Sequence, residues 1–354
     1  MVKVGINGFG RIGRLTFRYA FDMPEVEVVH VNELLGGAET AAYLIKYDSV
    51  HGTWPRKVDH VDDHFTVDGQ KISFSDKEDF TQVDWKGMGV QIVIDCTGKF
   101  LTVAALRPYL DVCGVQRVVV SAPVKEPSVL NVVVGVNDDK LTSDHVICTA
   151  ASCTTNCIAP VIKVIQENLG IESGMITTVH NLTGTQSPLV RVLQPMVDMP
   201  NAKKKDLRRC RSGMLNLAPT TTGSATAVAE VFPELKGKLN GHAIRVPMLN
   251  SSITDLVFVL KTPTTAADVN AMLKAASEEG PLAASDEHGD ILGYEAQPLV
   301  STDYINDVRS TIVDANSTMM VGDRMLKIYA WYDNEAGYSM RTAELTRLVA
   351  RKFF

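Results

Sequence analysis

Short, continuous apolar runs alternate with amphipathic stretches through the first 150 residues. Val2–Ile6, Val26–Val31, Val90–Asp95, Val118–Val120, Val132–Val136 and Val146–Cys148 are such runs, and Arg14–Phe21 between the first two has helical spacing. A strand apolar on both faces is buried on both, so this pattern predicts a parallel, doubly wound sheet with helices across it. Beyond residue 151 the pattern changes. Strands are expected near 172–180, 241–247, 252–261, 310–313 and 325–332, with a helix near 265–279. That order predicts an α+β domain with a mainly antiparallel sheet over 152–335, following an α/β domain over 1–151. The last segment, 336–354, carries Leu345, Leu348 and Val349 at helical spacing and is expected to return to the first domain. Between the two domains Ser152 can cap a helix that Gly170 closes. Pro160 falls inside that helix, where it should make the first turn irregular.

The totals narrow the classes. A chain of 354 residues has room for two cores, and 45% hydrophobic with 21% charged residues is an ordinary globular mixture. A net charge of −6 argues against nucleic acid as a dedicated partner, despite the local cluster of Lys203–Lys205, Arg208, Arg209 and Arg211. No apolar stretch is long enough to span a membrane, and a strand at Val2–Ile6 leaves no place for a signal peptide. Six scattered cysteines fit reduced thiols in a cytoplasmic setting, and their spacing suits no metal site. Histidines 30, 51, 60, 64 and 145 form no constellation and read as structural or exposed.

Gly8-Phe9-Gly10-Arg11-Ile12-Gly13 follows the first strand and opens the first helix. In that context the glycines have mechanical roles. Gly8 makes the tight turn, Gly10 lets backbone approach a pyrophosphate, and the helix start offers it N–H groups. Glu33 ends the second strand twenty positions after Gly13, where a carboxylate accepts from a ribose hydroxyl and repels a 2′-phosphate. NAD is thus the expected dinucleotide. Ser121 and Thr97-Gly98, just past later strand ends, are further candidate contacts.

The chemistry is expected in the second half. Cys153 stands at a helix start, where the dipole favours its thiolate. His180, at the end of a strand, is the candidate partner base, and as imidazolium it would lower the thiol pKa further. Thr222-Gly223 lies in a hydroxyl-rich loop and Arg245 sits in a strand; both residue types suit phosphate oxygens.

Eight ordered segments carry a resemblance. They are INGFGRIGR at 6–14, YDSVHG at 47–52, ASCTTNC at 151–157, H-x-x-T-x-T-Q at 180–186, DLRR at 206–209, TTG at 221–223, RVP at 245–247 and WYDNEAGYS at 331–339. The chain resembles the phosphorylating glyceraldehyde-3-phosphate dehydrogenases over nearly its full length. That resemblance implies Cys153 as nucleophile and His180 as its base. It implies one anion site from Ser152, Thr154, Thr183 or Thr222-Gly223 with Arg245, and a second involving Arg209. NAD would touch Arg11, Ile12, Glu33, Lys77, Ser121 and Asn334, the last holding the carboxamide. A small phosphorylated aldehyde and inorganic phosphate would be the substrates, in a cytoplasmic homotetramer. Kindred expectations are an erythrose-4-phosphate dehydrogenase, an arsenate-linked variant, or a silent NAD-binding protein. The chain departs from the family in a longer 187–205 segment, in Ala336 for a larger residue, and in Glu33 for aspartate.

Overall fold

The computed structural model describes residues 1–181 and 207–354, which divide into two compact units, 1–152 with 338–354, and 153–337. In the first unit the strands are β1 Val2–Asn7, β2 Val26–Asn32, β3 Val58–Val61, β4 His64–Val67, β5 Gln70–Ser75, β6 Ile92–Asp95, β7 Arg117–Val120, β8 Leu130–Asn131 and β9 Ile147–Thr149. Its helices are α1 Arg11–Ala20, α2 Gly37–Lys46 and the one-turn pieces α3 Val103–Leu106 and α4 Pro108–Asp111. The sheet order among the described residues is β3-β4-β5-β2-β1-β6-β7-β9-β8. Neighbours from β5 through β8 run parallel, so the order reverses on either side of β1. In an open sheet, ligands bind beyond the carboxyl strand ends at such a reversal.

Two features differ from the sequence expectation. The antiparallel pairs β3–β4 and β4–β5 extend the sheet at one edge. Asp68 and Gly69, at φ 48° and 86°, make the tight turn between β4 and β5, an Asp-Gly signal available in the sequence. Val132–Val136 is not a strand. Val132, Val133 and Val134 are buried in a turn, Gly135 takes φ 78°, and the Asn137 side chain accepts from Val133 N at 2.7 Å. An apolar run records burial and does not separate a strand from a buried turn.

The second unit holds α5 Cys153–Asn168, β10 Ile171–His180, β11 Ala218–Thr221, α6 Ser224–Val231, β12 Leu239–Arg245, β13 Ser252–Leu260, α7 Ala266–Glu278, β14 Leu292–Glu295, β15 Thr311–Val321 and β16 Met325–Tyr332. Its sheet, ordered β11-β12-β10-β13-β16-β15-β14, is antiparallel except at β12–β10 and β15–β14. Strand β13 alternates without a break, burying Leu256, Phe258 and Leu260 on one face. Helix α5 lies on that sheet with Ile158, Val161, Ile162 and Ile165 buried, each contributing about 1.5–3 kcal/mol on leaving water. The expected irregular first turn of α5 is absent. The helix runs unbroken through Pro160, because packing on the sheet holds the turn that loses a backbone hydrogen bond there. Helix α8, Ala336–Phe353, carries the last residues of the chain into the first unit, where Arg351 pairs with Glu25.

Candidate active site

In the first unit the glycine loop joins β1 to α1. Gly8 has φ +90°, and a Cβ there would meet the Cys96–Thr97 backbone at 2.8 Å. A Cβ on Gly13 would come 2.1 Å from the Gly8 carbonyl oxygen, so helix and loop touch through bare backbone. A Cβ on Gly10, the residue before α1, would meet nothing within 4 Å. That open ground beside a helix start fits the pyrophosphate of NAD. The Glu33 carboxylate closes the loop, accepting from Phe9 N at 2.7 Å and Leu34 N at 2.8 Å. Arg11 is paired with Asp48, whose pKa is lowered to about 2 by two backbone donors and Arg11 against the opposing effect of burial. Ile12 is half-buried, and Lys77 is exposed with its backbone tied to Asn32. Ser121 stands at the end of β7, its N–H donating to Asp95 O at 2.9 Å, with Cys96 against its side chain.

In the second unit the parallel register of β10 and β12 sets His180 directly beside Arg245. Helix α5 starts above these strand ends, and Cys153 Sγ lies 3.6 Å from His180 Nε2. Just before it Ala151 has φ 52°, a left-handed conformation costly for alanine, so the turn into the helix is strained. His180 Nδ1 faces Arg245 Nη1 at 2.7 Å and Asn181 O at 2.9 Å. These contacts demand opposite tautomers. A guanidinium only donates, so Nδ1 engaged by Arg245 is an acceptor and Nε2 carries the hydrogen. When Nδ1 instead donates to Asn181 O, Nε2 is free to take a proton.

The electrostatics differ from the ion pair expected from sequence. Burial, and then the Arg245 charge, pushes His180 down to about 3, so the imidazole is neutral. Burial pushes the Cys153 thiol up from its ordinary value, while Arg245 and Thr154 pull it back only in part. Removing both groups from water costs more than the helix start and the neighbouring charge return. A bound anion on Arg245 would change that balance.

Thr154 is buried with its hydroxyl 3.1 Å from Tyr332 Oη, which Thr178 also meets at 2.8 Å. That inward hydroxyl supports the helix start. Thr222 bonds Ser224, and Gly223 precedes α6; because Ala218 pairs with Arg245 and Thr221 with His242, this loop starts about 10 Å along the strand from Arg245. Asn334 is buried, its Oδ1 accepting from Ser252 Oγ at 3.1 Å, which leaves the amide nitrogen as the group to donate. Ser152 is half-buried just before α5. Thr183, the 187–205 segment and the Arg209 side chain lie outside the described residues. The sequence reading missed Tyr332, Thr178 and the Asn181 carbonyl; Tyr332 lay within the WYDNEAGYS segment, but an isolated threonine or carbonyl gives no signal.

The family model for the glyceraldehyde 3-phosphate dehydrogenase NAD binding domain matches residues 2–103, and that for its C-terminal domain matches 152–334. Glyceraldehyde-3-phosphate dehydrogenase 3 of Nostoc sp. is 55% identical over 99% of this chain and 98% of its own length. Glyceraldehyde-3-phosphate dehydrogenase 1 of Bacillus subtilis is 46% identical over 99% of both chains. Glyceraldehyde-3-phosphate dehydrogenase 3 of Saccharomyces cerevisiae is 42% identical over 99% of this chain and all of its own. With a glycine loop shaped for NAD and matches along nearly its whole length, the chain belongs to the glyceraldehyde-3-phosphate dehydrogenase family.

Proposed function

We propose that the chain oxidises glyceraldehyde 3-phosphate to 1,3-bisphosphoglycerate with NAD and inorganic phosphate. The observation that carries this is Cys153 Sγ at 3.6 Å from His180 Nε2, with Arg245 beside both. The substrate phosphate engages Arg245, which leaves His180 Nδ1 to donate to Asn181 O and Nε2 to act as base. Cys153, its proton passed to His180, adds to the aldehyde carbon, and His180 returns that proton to the carbonyl oxygen to give a thiohemiacetal. His180 takes the proton of that hydroxyl as the carbon is oxidised to a thioester. Bound NAD supplies the hydride acceptor. Phosphate oxygen then attacks the thioester carbon and the Cys153 sulfur leaves as thiolate, which the nearby imidazolium stabilises. Donors at the start of α5 hold the oxyanion in both additions.

Residues around Gly8, Gly10 and Gly13, with Arg11, Ile12, Glu33, Lys77 and Ser121, would hold NAD, and Asn334 would orient its carboxamide. Arg245 serves one anion; Thr222-Gly223, separated from it along the sheet, serves the other, a site the resemblance extends to Arg209. We read the protein as a cytoplasmic homotetramer. The relatives' names favour glyceraldehyde 3-phosphate over erythrose 4-phosphate, an arsenate-linked role or silence. The test is NADH absorbance with glyceraldehyde 3-phosphate and NAD, with and without phosphate, beside erythrose 4-phosphate. Phosphate-dependent NADH formation, faster with the three-carbon aldehyde, is expected. Equal rates without phosphate, or none at all, would overturn the reading.

A further inference from the structure

The first unit contains a polar chain that the proposed reaction does not use. Asn7, Asn32, Ser75 and Asp95 are the last residues of β1, β2, β5 and β6, four neighbours in the sheet. Asn7, Asn32 and Asp95 are almost wholly buried, as is Tyr109 of α4, whose ring stacks on Phe80 at 3.8 Å. Their hydrogen bonds run one way. Ser75 Oγ and Lys77 N donate to Asn32 Oδ1 at 2.7 and 2.9 Å, and Asn32 Nδ2 donates to Asn7 Oδ1 at 2.8 Å. Asn7 Nδ2 donates to Tyr109 Oη at 2.5 Å, and Tyr109 donates to Asp95 Oδ2 at 2.8 Å. From the other side Thr97 N and Oγ1 donate to Asp95 Oδ1 at 3.1 and 2.7 Å. Apart from a second Asn32 Nδ2 bond, to Lys77 O at 2.9 Å, the donors point toward the Asp95 carboxylate, the terminal acceptor, which Asn7 also bonds, so neither asparagine can turn over without breaking the chain.

The loops leaving these strand ends are the ones that would hold the dinucleotide. Backbone bonds tie them to the same residues: Gly8 N to Asn32 O at 2.8 Å, Glu33 N to Ser75 O at 2.9 Å, and Cys96 N to Asn7 O at 2.7 Å. We infer that Tyr109 and Asp95 are positioning residues for the dinucleotide: they terminate a one-way hydrogen-bond chain that sets the spacing of four cofactor-bearing strand ends. A protonated Asp95 Oδ2 would turn from acceptor to donor against Tyr109, leaving the phenol hydrogen without its partner and reversing the chain at its end. The ionisable groups against the chain are Tyr109, Cys96, Cys113 beside Tyr109, with a thiol that burial raises to about 11, and His30, bonded to Ser73 and Ser75 at 2.8 Å each. Burial pushes Tyr109 well up, Cys96 to about 12 and His30 down to about 4. Burial raises Asp95 to about 6 against the donors that surround it.

This inference rests on the NAD-binding reading, and calorimetry of NAD with the full-length enzyme tests the two separately. If the wild type takes up no NAD, that reading fails. If it does, its Kd should rise several-fold between pH 7.5 and pH 5, and Asp95→Asn should abolish that dependence. Tyr109→Phe, which keeps the ring and removes both of its hydrogen bonds, should raise Kd about tenfold, and raise KM for NAD more than it lowers kcat. A folded Tyr109→Phe with Kd within twofold of wild type, or a wild-type Kd flat across that pH range, would overturn it. The wild-type profile and Tyr109→Phe decide the matter even if Asp95→Asn does not fold.

Discussion

At the scale of single residues, the second unit brings together a thiol and an imidazole, the groups proposed as nucleophile and base. Burial pushes the Cys153 thiol up and His180 down to about 3, and Arg245 touches His180 Nδ1. Cys153→Ser should leave NAD binding intact while turnover falls by several orders of magnitude, since a serine hydroxyl forms no comparable anion. His180→Asn should lower kcat by about 10²–10⁴, the usual worth of a positioned base. Stopped-flow NADH formation with parallel calorimetry reads both, and near-wild-type turnover in either variant would remove that residue from the mechanism.

At the scale of elements, strand ends and helix starts do the positioning. The β1–α1 junction is tight at Gly13 and open at Gly10, two glycines three residues apart with different reasons to be glycine. Gly13→Ala must push a methyl group into the Gly8 carbonyl and should cost about 1–3 kcal/mol of stability, seen as a lower thermal midpoint. Gly10→Ala meets no protein atom, so its midpoint should stay near wild type while KM for NAD rises. Equal thermal midpoints for both variants would contradict this division. The pairing of β10 with β12 does similar work in the second unit, since one residue of slip would turn Arg245 away from His180.

Across the whole molecule, buried ionisable groups set the response to acid. Two buried histidines, His30 at about 4 and His180 at about 3, stay neutral in the fold but take up protons near 6.5 once unfolded. Their contribution is complete above about 6.5 and is lost as pH falls toward 4. Asp95 acts in the opposite sense, because its raised pKa favours the fold as pH falls from 6 toward 3.8. Two groups with larger shifts outweigh one. The thermal midpoint should fall between pH 7 and pH 4.5, and His30→Gln should make the fall shallower. An equal or higher midpoint at pH 4.5 would show that other groups govern acid stability.

Some of this was written in the chain itself. Period, glycine placement and a carboxylate at the end of β2 determined a dinucleotide domain, and the order of short motifs determined the family, because each depends on residues close together in sequence. The placement of Cys153 at a helix start and of His180 at a strand end was legible for the same reason. Burial runs alone did not separate the turn at Val132–Val136 from a strand, and the Asp-Gly hairpin beyond β3 went unread. Only the tertiary structure decided that Arg245 contacts His180, that Thr154 points inward to Tyr332, and that Asn7, Asn32, Tyr109 and Asp95 form one chain. Those contacts join residues up to 178 positions apart, and the charge states they impose come from desolvation. Which groups lose water together is a property of packing, so local sequence determined the parts and the fold determined their protonation and partners.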